Sequence, residues 1–338
     1  MHRPNLPWPL IRLAVFCSEE AYSTAVVSSA PQFNALQRTL VSQRTVESHG
    51  KVVVVALPGT QGIKDWIVNF NSGRHDSRDI VGLPEQNLCH GGFLNASRSL
   101  IDPLATCLNN YEDRSTLLFT GHSAGAATAS LLYAHVLSEV TSRLVTVTKD
   151  FTNIHCILFG CPPISTDPLQ HHRREDARSS RSLFLSFLND GDPIIKADIE
   201  YIAGKLKKSK SAQSDTIDCG GEDGKRNERL SGPALDKKRP KRLFVHSGRI
   251  ILSRVDVNHP SVALFREVAN DELDQKAVLS WRVHGISVYK ARIESYNVTN
   301  DETETRAVHQ HNSNNHIDDS TTKMREGNLI AWLLMVIL

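Results

Sequence analysis

The chain has 338 residues, 39 Lys and Arg against 37 Asp and Glu, and 40% hydrophobic residues, enough to bury a sizeable core. A net charge of +2 supplies no field that would recruit nucleic acid or an anionic membrane as the main partner. Six cysteines (Cys17, Cys89, Cys107, Cys156, Cys161 and Cys219) lie without a C-x-x-C pair or finger spacing, which argues against a disulfide framework or structural zinc.

Taken in chain order, the first twelve residues carry an apolar run broken by Pro9 and Arg12, with no small-residue cleavage site ahead of Glu19 and Glu20. A secretory signal is not expected, and the chain reads as cytoplasmic. The sequons at Asn95 and Asn297 are then chance matches. Short apolar runs follow at 52–57, 117–120, 154–160, 183–188 and 249–254, separated by longer helix-compatible stretches. That alternation predicts an α/β fold with a mostly parallel central sheet flanked by helices. Val52 to Val55 and Ile157 to Phe159 do not alternate with polar residues, as expected of strands covered on both faces. Ser247-Gly248 lies between Leu243-Phe244-Val245 and Ile250-Ile251-Leu252, which predicts a hairpin there.

Between 203 and 242 the apolar content collapses and 12 basic residues face 6 acidic ones, a local excess of +6 that reads as a solvated, disordered insertion. The run Lys237 to Arg242 within it reads as a charged loop rather than a nuclear address. Residues 300–320 are polar, with His309, His311 and His316 read as part of a tail rather than a metal tract. The final ten residues, 329–338, are all apolar, yet a helix needs about 20 such residues to span a bilayer. The expected organisation is one domain over 1–298, carrying the 203–242 insertion, and a tail over 299–338.

The strongest chemical signal is Gly121-His122-Ser123-Ala124-Gly125, which follows an apolar run and precedes the Ala- and Leu-rich stretch 126–137. Strand, sharp turn and helix in that order make a nucleophile elbow, in which small neighbours let the chain lift the serine hydroxyl to the end of the sheet. The helix then aims its positive end at the site, and the Ala124 N–H becomes an oxyanion donor. A serine hydroxyl is inert until a base takes its proton and a carboxylate orients that base. The turn Asn189-Asp190-Gly191-Asp192-Pro193 offers two acids, Asp192 favoured over Asp190. Among 15 histidines, chain order and a place after the last strand favour His284 over His259.

These stretches resemble the class 3 (fungal-type) lipases of the α/β-hydrolase superfamily. Leu57-Pro58-Gly59-Thr60 resembles the family's oxyanion loop, and Asp65-Trp66 with Asn69 resembles the segment after it. His90-Gly91-Gly92-Phe93, Phe159-Gly160-Cys161-Pro162, the acid loop 189–197 and His284 ahead of Tyr289 match further elements in order, over about residues 21–293. The resemblance implies Ser123 as nucleophile, Asp192 as orienting acid, His284 as general base and Thr60 as second oxyanion donor beside Ala124. It departs from the family where Leu57-Pro58 replaces an aromatic-Arg pair and Ala126 replaces a second glycine. Independently, Ile63, Trp66, Ile67 and Phe70 fall at i, i+3, i+4 and i+7, an apolar stripe suited to a lid or to simple core packing.

The expected activity is that of a lipase-type serine ester hydrolase on acylglycerols or related lipid esters, with transient contact with a lipid interface and no transmembrane span. Acyl transfer through a triad requires no cofactor and no metal. The alternatives are a catalytically weak lipase-like scaffold or signalling protein, and a peptidase or thioesterase on the same fold.

Overall fold

The computed structural model describes residues 6–24, 39–59, 73–82, 87–169, 181–196, 244–256, 258–274 and 279–296. The lid-like stripe at 63–70, the basic segment 203–242 and the tail 299–338 lie outside these residues, as do Thr60 and Cys219.

A seven-stranded sheet organises the molecule, in the order β1 (Leu40–Val46), β2 (Gly50–Leu57), β5 (Thr116–His122), β6 (Asn153–Phe159), β7 (Phe184–Asn189), β8 (Arg249–Val255) and β9 (Ala263–Val268). The five strands from β2 to β8 run parallel, and β1 and β9 close the two edges antiparallel. A separate two-stranded ribbon pairs β3 (Arg74–Asp76) with β4 (Leu88–His90).

Side chains on a strand point alternately to opposite faces, and here each face has its own apolar cover. Val53, Val55 and Leu57 of β2, with Leu117 and Phe119 of β5, pack under α3 (Gly91–Leu108), α4 (Ala124–Val136) and α5 (Arg143–Thr148). Val52, Val54 and Ala56, with Leu118, Ile157, Phe159 and Phe187, pack under α1 (Trp8–Thr24) and α6 (Ile286–Ser295). The short helix α2 (Arg78–Val81) adds Ile80 and Val81 to the first layer. Both faces are therefore dry, which is why the central strands are apolar at consecutive positions; each fully buried Val or Leu contributes about 1.5–3 kcal/mol.

Two features depart from the sequence expectations. Gly248 does adopt φ +74, but no hairpin folds across Ser247-Gly248. The chain before it instead bridges Ser165 through Val245, because β8 already has parallel β7 on one side and antiparallel β9 on the other. The hairpin of this region is β8–β9. The second feature is α1, which the sequence reading left unassigned. Pro9 stands in its first turn, where a missing N–H costs nothing, and Leu10, Ile11, Ala14 and Val15 are buried against the sheet. Arg12 stays at the rim and donates to the Tyr296 carbonyl at 3.0 Å.

Candidate active site

β5 ends at His122 and α4 begins at Ala124, leaving Ser123 alone in the turn with φ 57 and ψ −125. It is the one non-glycine with positive φ among the described residues, a strain that the packing on either side enforces. A Cβ on Gly121 would stand 2.7 Å from the Leu57 carbonyl oxygen, and one on Gly125 would stand 2.6 Å from the Pro58 oxygen. The end of β2 thus lies directly on the elbow. Gly59 is equally confined, since a Cβ there would meet the Tyr22 hydroxyl and stand 3.1 Å from Ser123 Cβ. The Ser123 N–H continues the parallel ladder to the Phe159 carbonyl at 3.0 Å. Ala124 precedes the first bond of the helix, from the Ala127 N–H to the Ser123 carbonyl at 3.2 Å, so its own N–H is directed out of the helix end.

The other groups arrive from distant parts of the chain. β7 ends at Asn189, the backbone turns through Gly191 at φ 86, and Asp192 is fully buried. His284 follows a short 3-10 turn, Trp281–Val283, and precedes α6. Its Nδ1 lies 2.9 Å from Asp192 Oδ2 and its Nε2 lies 3.0 Å from Ser123 Oγ. A carboxylate only accepts, so Nδ1 carries the proton and Nε2 is left to accept from the serine hydroxyl. Asp192 also accepts from the Tyr289 hydroxyl at 2.7 Å and from the Ile194 N–H at 2.8 Å. Burial alone would push this carboxyl up, but His284 and the two further donors outweigh it and hold it below the usual range. Tyr289 moves the opposite way: burial, then the Asp192 charge, push its hydroxyl well up, so it remains a donor.

Of the two acids in the turn, Asp192 is the one that meets His284. Asp190 points outward to an ion pair with Arg254 at 2.6 Å. His259 is 72% exposed and lies 3.5 Å from Asp256, away from Ser123. Thr60 lies outside the described residues, immediately after Gly59. Among the described residues no cluster of His, Cys, Asp or Glu is arranged to hold a metal.

Several supporting residues have no signature in the sequence that names their role. Asn189 donates from Nδ2 to the Val283 carbonyl at 2.7 Å, accepts from Ser253 Oγ at 2.5 Å and gives its N–H to the Tyr289 hydroxyl at 3.0 Å. Gly160, at φ +56, leaves room for Asp192 and His284: a Cβ would stand 3.3 Å from Asp192 Oδ2 and 3.3 Å from His284 Cε1. For Gly160 the sequence hint is a glycine directly after an apolar strand, in the stretch Phe159 to Pro162 that resembles a family element. Tyr22 and His122 pack behind Ser123, and nothing in the spacing of residues 22, 122 and 284 joins them.

A mostly parallel sheet covered on both faces, with a strained serine at a strand-to-helix turn, is the α/β-hydrolase fold. Residues 54–200 match the family model Lipase (class 3). Over that span the chain is similar to the class 3 lipases. No curated protein matches the chain by sequence. Among solved structures, a triacylglycerol lipase from Penicillium expansum is 13% identical with TM-score 0.53, the match covering 87% of this chain and 98% of that one. A Rhizomucor miehei lipase propeptide complex is 13% identical with TM-score 0.44, covering 83% and 78%. A Yarrowia lipolytica LIP2 lipase is 13% identical with TM-score 0.44, covering 79% and 87%. Among the described residues no helix is long and apolar enough to cross a membrane.

Proposed function

We propose that the chain is a serine ester hydrolase of lipase type that cleaves acylglycerols or related lipid esters through an acyl-enzyme. The carrying observation is the strained Ser123 with its Oγ 3.0 Å from His284 Nε2, backed by buried Asp192. In this reading Ser123 Oγ attacks the acyl carbonyl carbon while His284 Nε2 takes its proton. The oxyanion settles against the Ala124 N–H and Thr60, at the positive end of α4. The tetrahedral intermediate collapses, the alcohol leaves with the proton from Nε2, and water repeats the sequence to release the carboxylic acid. Asp192 keeps His284 in the tautomer that can accept, and stabilises the imidazolium.

The test is hydrolysis of p-nitrophenyl esters of short to long acyl chain, with and without detergent micelles, beside Ser123→Ala. Removing such a nucleophile costs on the order of a million-fold in turnover. Turnover that rises with micelles and vanishes in Ser123→Ala supports a lipase, and turnover confined to short soluble esters supports an esterase. Absence of serine-dependent turnover at every chain length overturns the reading and leaves the scaffold alternative.

A further inference from the structure

Directly behind the nucleophile runs a second hydrogen-bonded chain that takes no part in the proton transfers. His122, the last residue of β5, is buried against Tyr289 of α6, with its Nε2 2.7 Å from the backbone carbonyl of His284 and its Nδ1 2.7 Å from the Tyr22 hydroxyl. The Tyr22 oxygen in turn receives the N–H of Gly59 at 3.0 Å. The direction of each bond follows from the chemistry of its end. The His284 carbonyl only accepts, so the His122 proton sits on Nε2. Burial, then the neighbouring His284, push His122 down to about 3, so the ring is neutral and Nδ1 is an acceptor. Tyr22 therefore donates its single hydroxyl proton to Nδ1 and uses a lone pair for Gly59. The chain reads Gly59 N–H to Tyr22 O–H to His122, and His122 N–H to the carbonyl of His284.

We infer that Tyr22 and His122 form a positioning relay that locks the loop holding Gly59, next to Thr60, to the loop holding His284. This inference rests on the proposed roles of Thr60 and His284. It ties together two groups that the fold brings in independently: Gly59 follows β2, while His284 sits 225 positions later in the chain. Ser123 lies between them, with its backbone joined to His122, so one ring sets the separation of the oxyanion side and the base side. Among the described residues no backbone hydrogen bond joins the two loops, and a displacement of about 1 Å at such a site costs on the order of 100-fold in rate. Neither Tyr22 nor His122 touches the reacting atoms; both act through Gly59 and His284.

Three variants separate the two halves of the relay. Tyr22→Phe removes the acceptor of Gly59 and the donor to Nδ1. His122→Gln retains an N–H for the His284 carbonyl and loses the Nδ1 acceptor. His122→Asn retains an acceptor for Tyr22 and loses the His284 bond. With p-nitrophenyl butyrate, each is expected to lower kcat about 10- to 100-fold with KM within about twofold. The double variant Tyr22→Phe/His122→Gln is expected to be no worse than the poorer single variant, because both break the same link. A purely structural role predicts instead a lowered melting temperature with kcat unchanged or with independent, multiplicative losses; either result overturns the relay. The relay is also read without turnover, from the imidazole 15N resonances of the protein. Nε2-protonated, neutral His122 from pH 5 to 8, with a Nδ1 shift altered in Tyr22→Phe, supports it. A charged or Nδ1-protonated His122 overturns it. Failure of the ester hydrolase reading is distinguished by a parent protein that lacks Ser123-dependent turnover but retains this 15N signature.

Discussion

The elbow and the base loop reach the same point by opposite means. Ser123 is held by its own backbone: a strand on one side, a helix on the other, and two glycines whose missing side chains let Leu57 and Pro58 press in. His284 has a slighter local frame, a single 3-10 turn before it and α6 two residues on. Its loop is tethered by groups from elsewhere: the side chains of Asn189 on the Val283 carbonyl, His122 on the His284 carbonyl and Asp192 on the ring, and the backbone carbonyl of Gly191 on the Ser280 N–H. The difference teaches that the proposed nucleophile is specified by a five-residue motif, whereas the proposed base is specified by contacts across the whole fold.

The sharpest way to break the comparison is on the base side. Asp192→Asn keeps the shape of the turn but removes the charge and the tautomer control, so turnover should fall on the order of 10,000-fold by analogy with other triads. Asp190→Asn should stay within about twofold, because that carboxylate faces Arg254 rather than His284. Equal losses in the two variants, measured on the same ester, would mean that the acid has been placed wrongly.

Glycine substitutions contrast the two regions next. In Gly160→Ala the new methyl group enters the space beside Asp192, His284 and Tyr289 at a positive φ. Turnover should drop about 100-fold for a stability loss of about 1–2 kcal/mol. In Gly121→Ala the methyl group meets only backbone, at 2.7 Å, so the cost should appear first as stability, about 1–3 kcal/mol in urea unfolding. A Gly121→Ala protein with full stability would show that the elbow is less tightly framed than its geometry indicates.

The pH dependence of stability supplies a further contrast. His122 is pushed down to about 3 and His155 to about 4, each chiefly by burial, against an ordinary 6.5. The unfolded chain takes up protons below pH 6.5 that the folded rings refuse, so stability falls with acid, by about 2 kcal/mol for each ring at pH 5. Asp192, whose value is lowered, is ionised in both states across that window; its contribution is lost only as pH drops below the ordinary 3.8. His155 accepts the Leu183 N–H on Nδ1 at 3.1 Å, so His155→Asn retains that bond and should remove one ring's share of the pH slope in unfolding measurements. An unchanged slope in that variant would sink the assignment.

Much of this was legible in the sequence for stated reasons. Five apolar runs became the five parallel strands, because strands covered on both faces need no polar residue, and the same property hid nothing from inspection. The Ser247-Gly248 turn misled, because a glycine records permission for positive φ and says nothing about which neighbour a strand will find. Helix α1 escaped because Pro9 and Arg12 interrupt its apolar pattern, and only the sheet beneath reveals which of its faces is buried.

By itself the sequence determined the α/β class, the elbow and its serine, since continuous apolar strand runs and the small residues around Ser123 are local properties. It narrowed the acid to two positions, with Asp192 favoured, and the base to two histidines, with His284 favoured. Only the tertiary structure decided that Asp192 turns inward while Asp190 turns to Arg254, and that His284 rather than His259 stands at Ser123 Oγ. It alone decided that Tyr22, His122, Asn189, Gly160 and Tyr289 surround them. The physical reason is that hydrogen bonds between residues 161 positions apart, such as that of His284 to Ser123, leave no periodic trace in the chain and exist only once the sheet has set the distances.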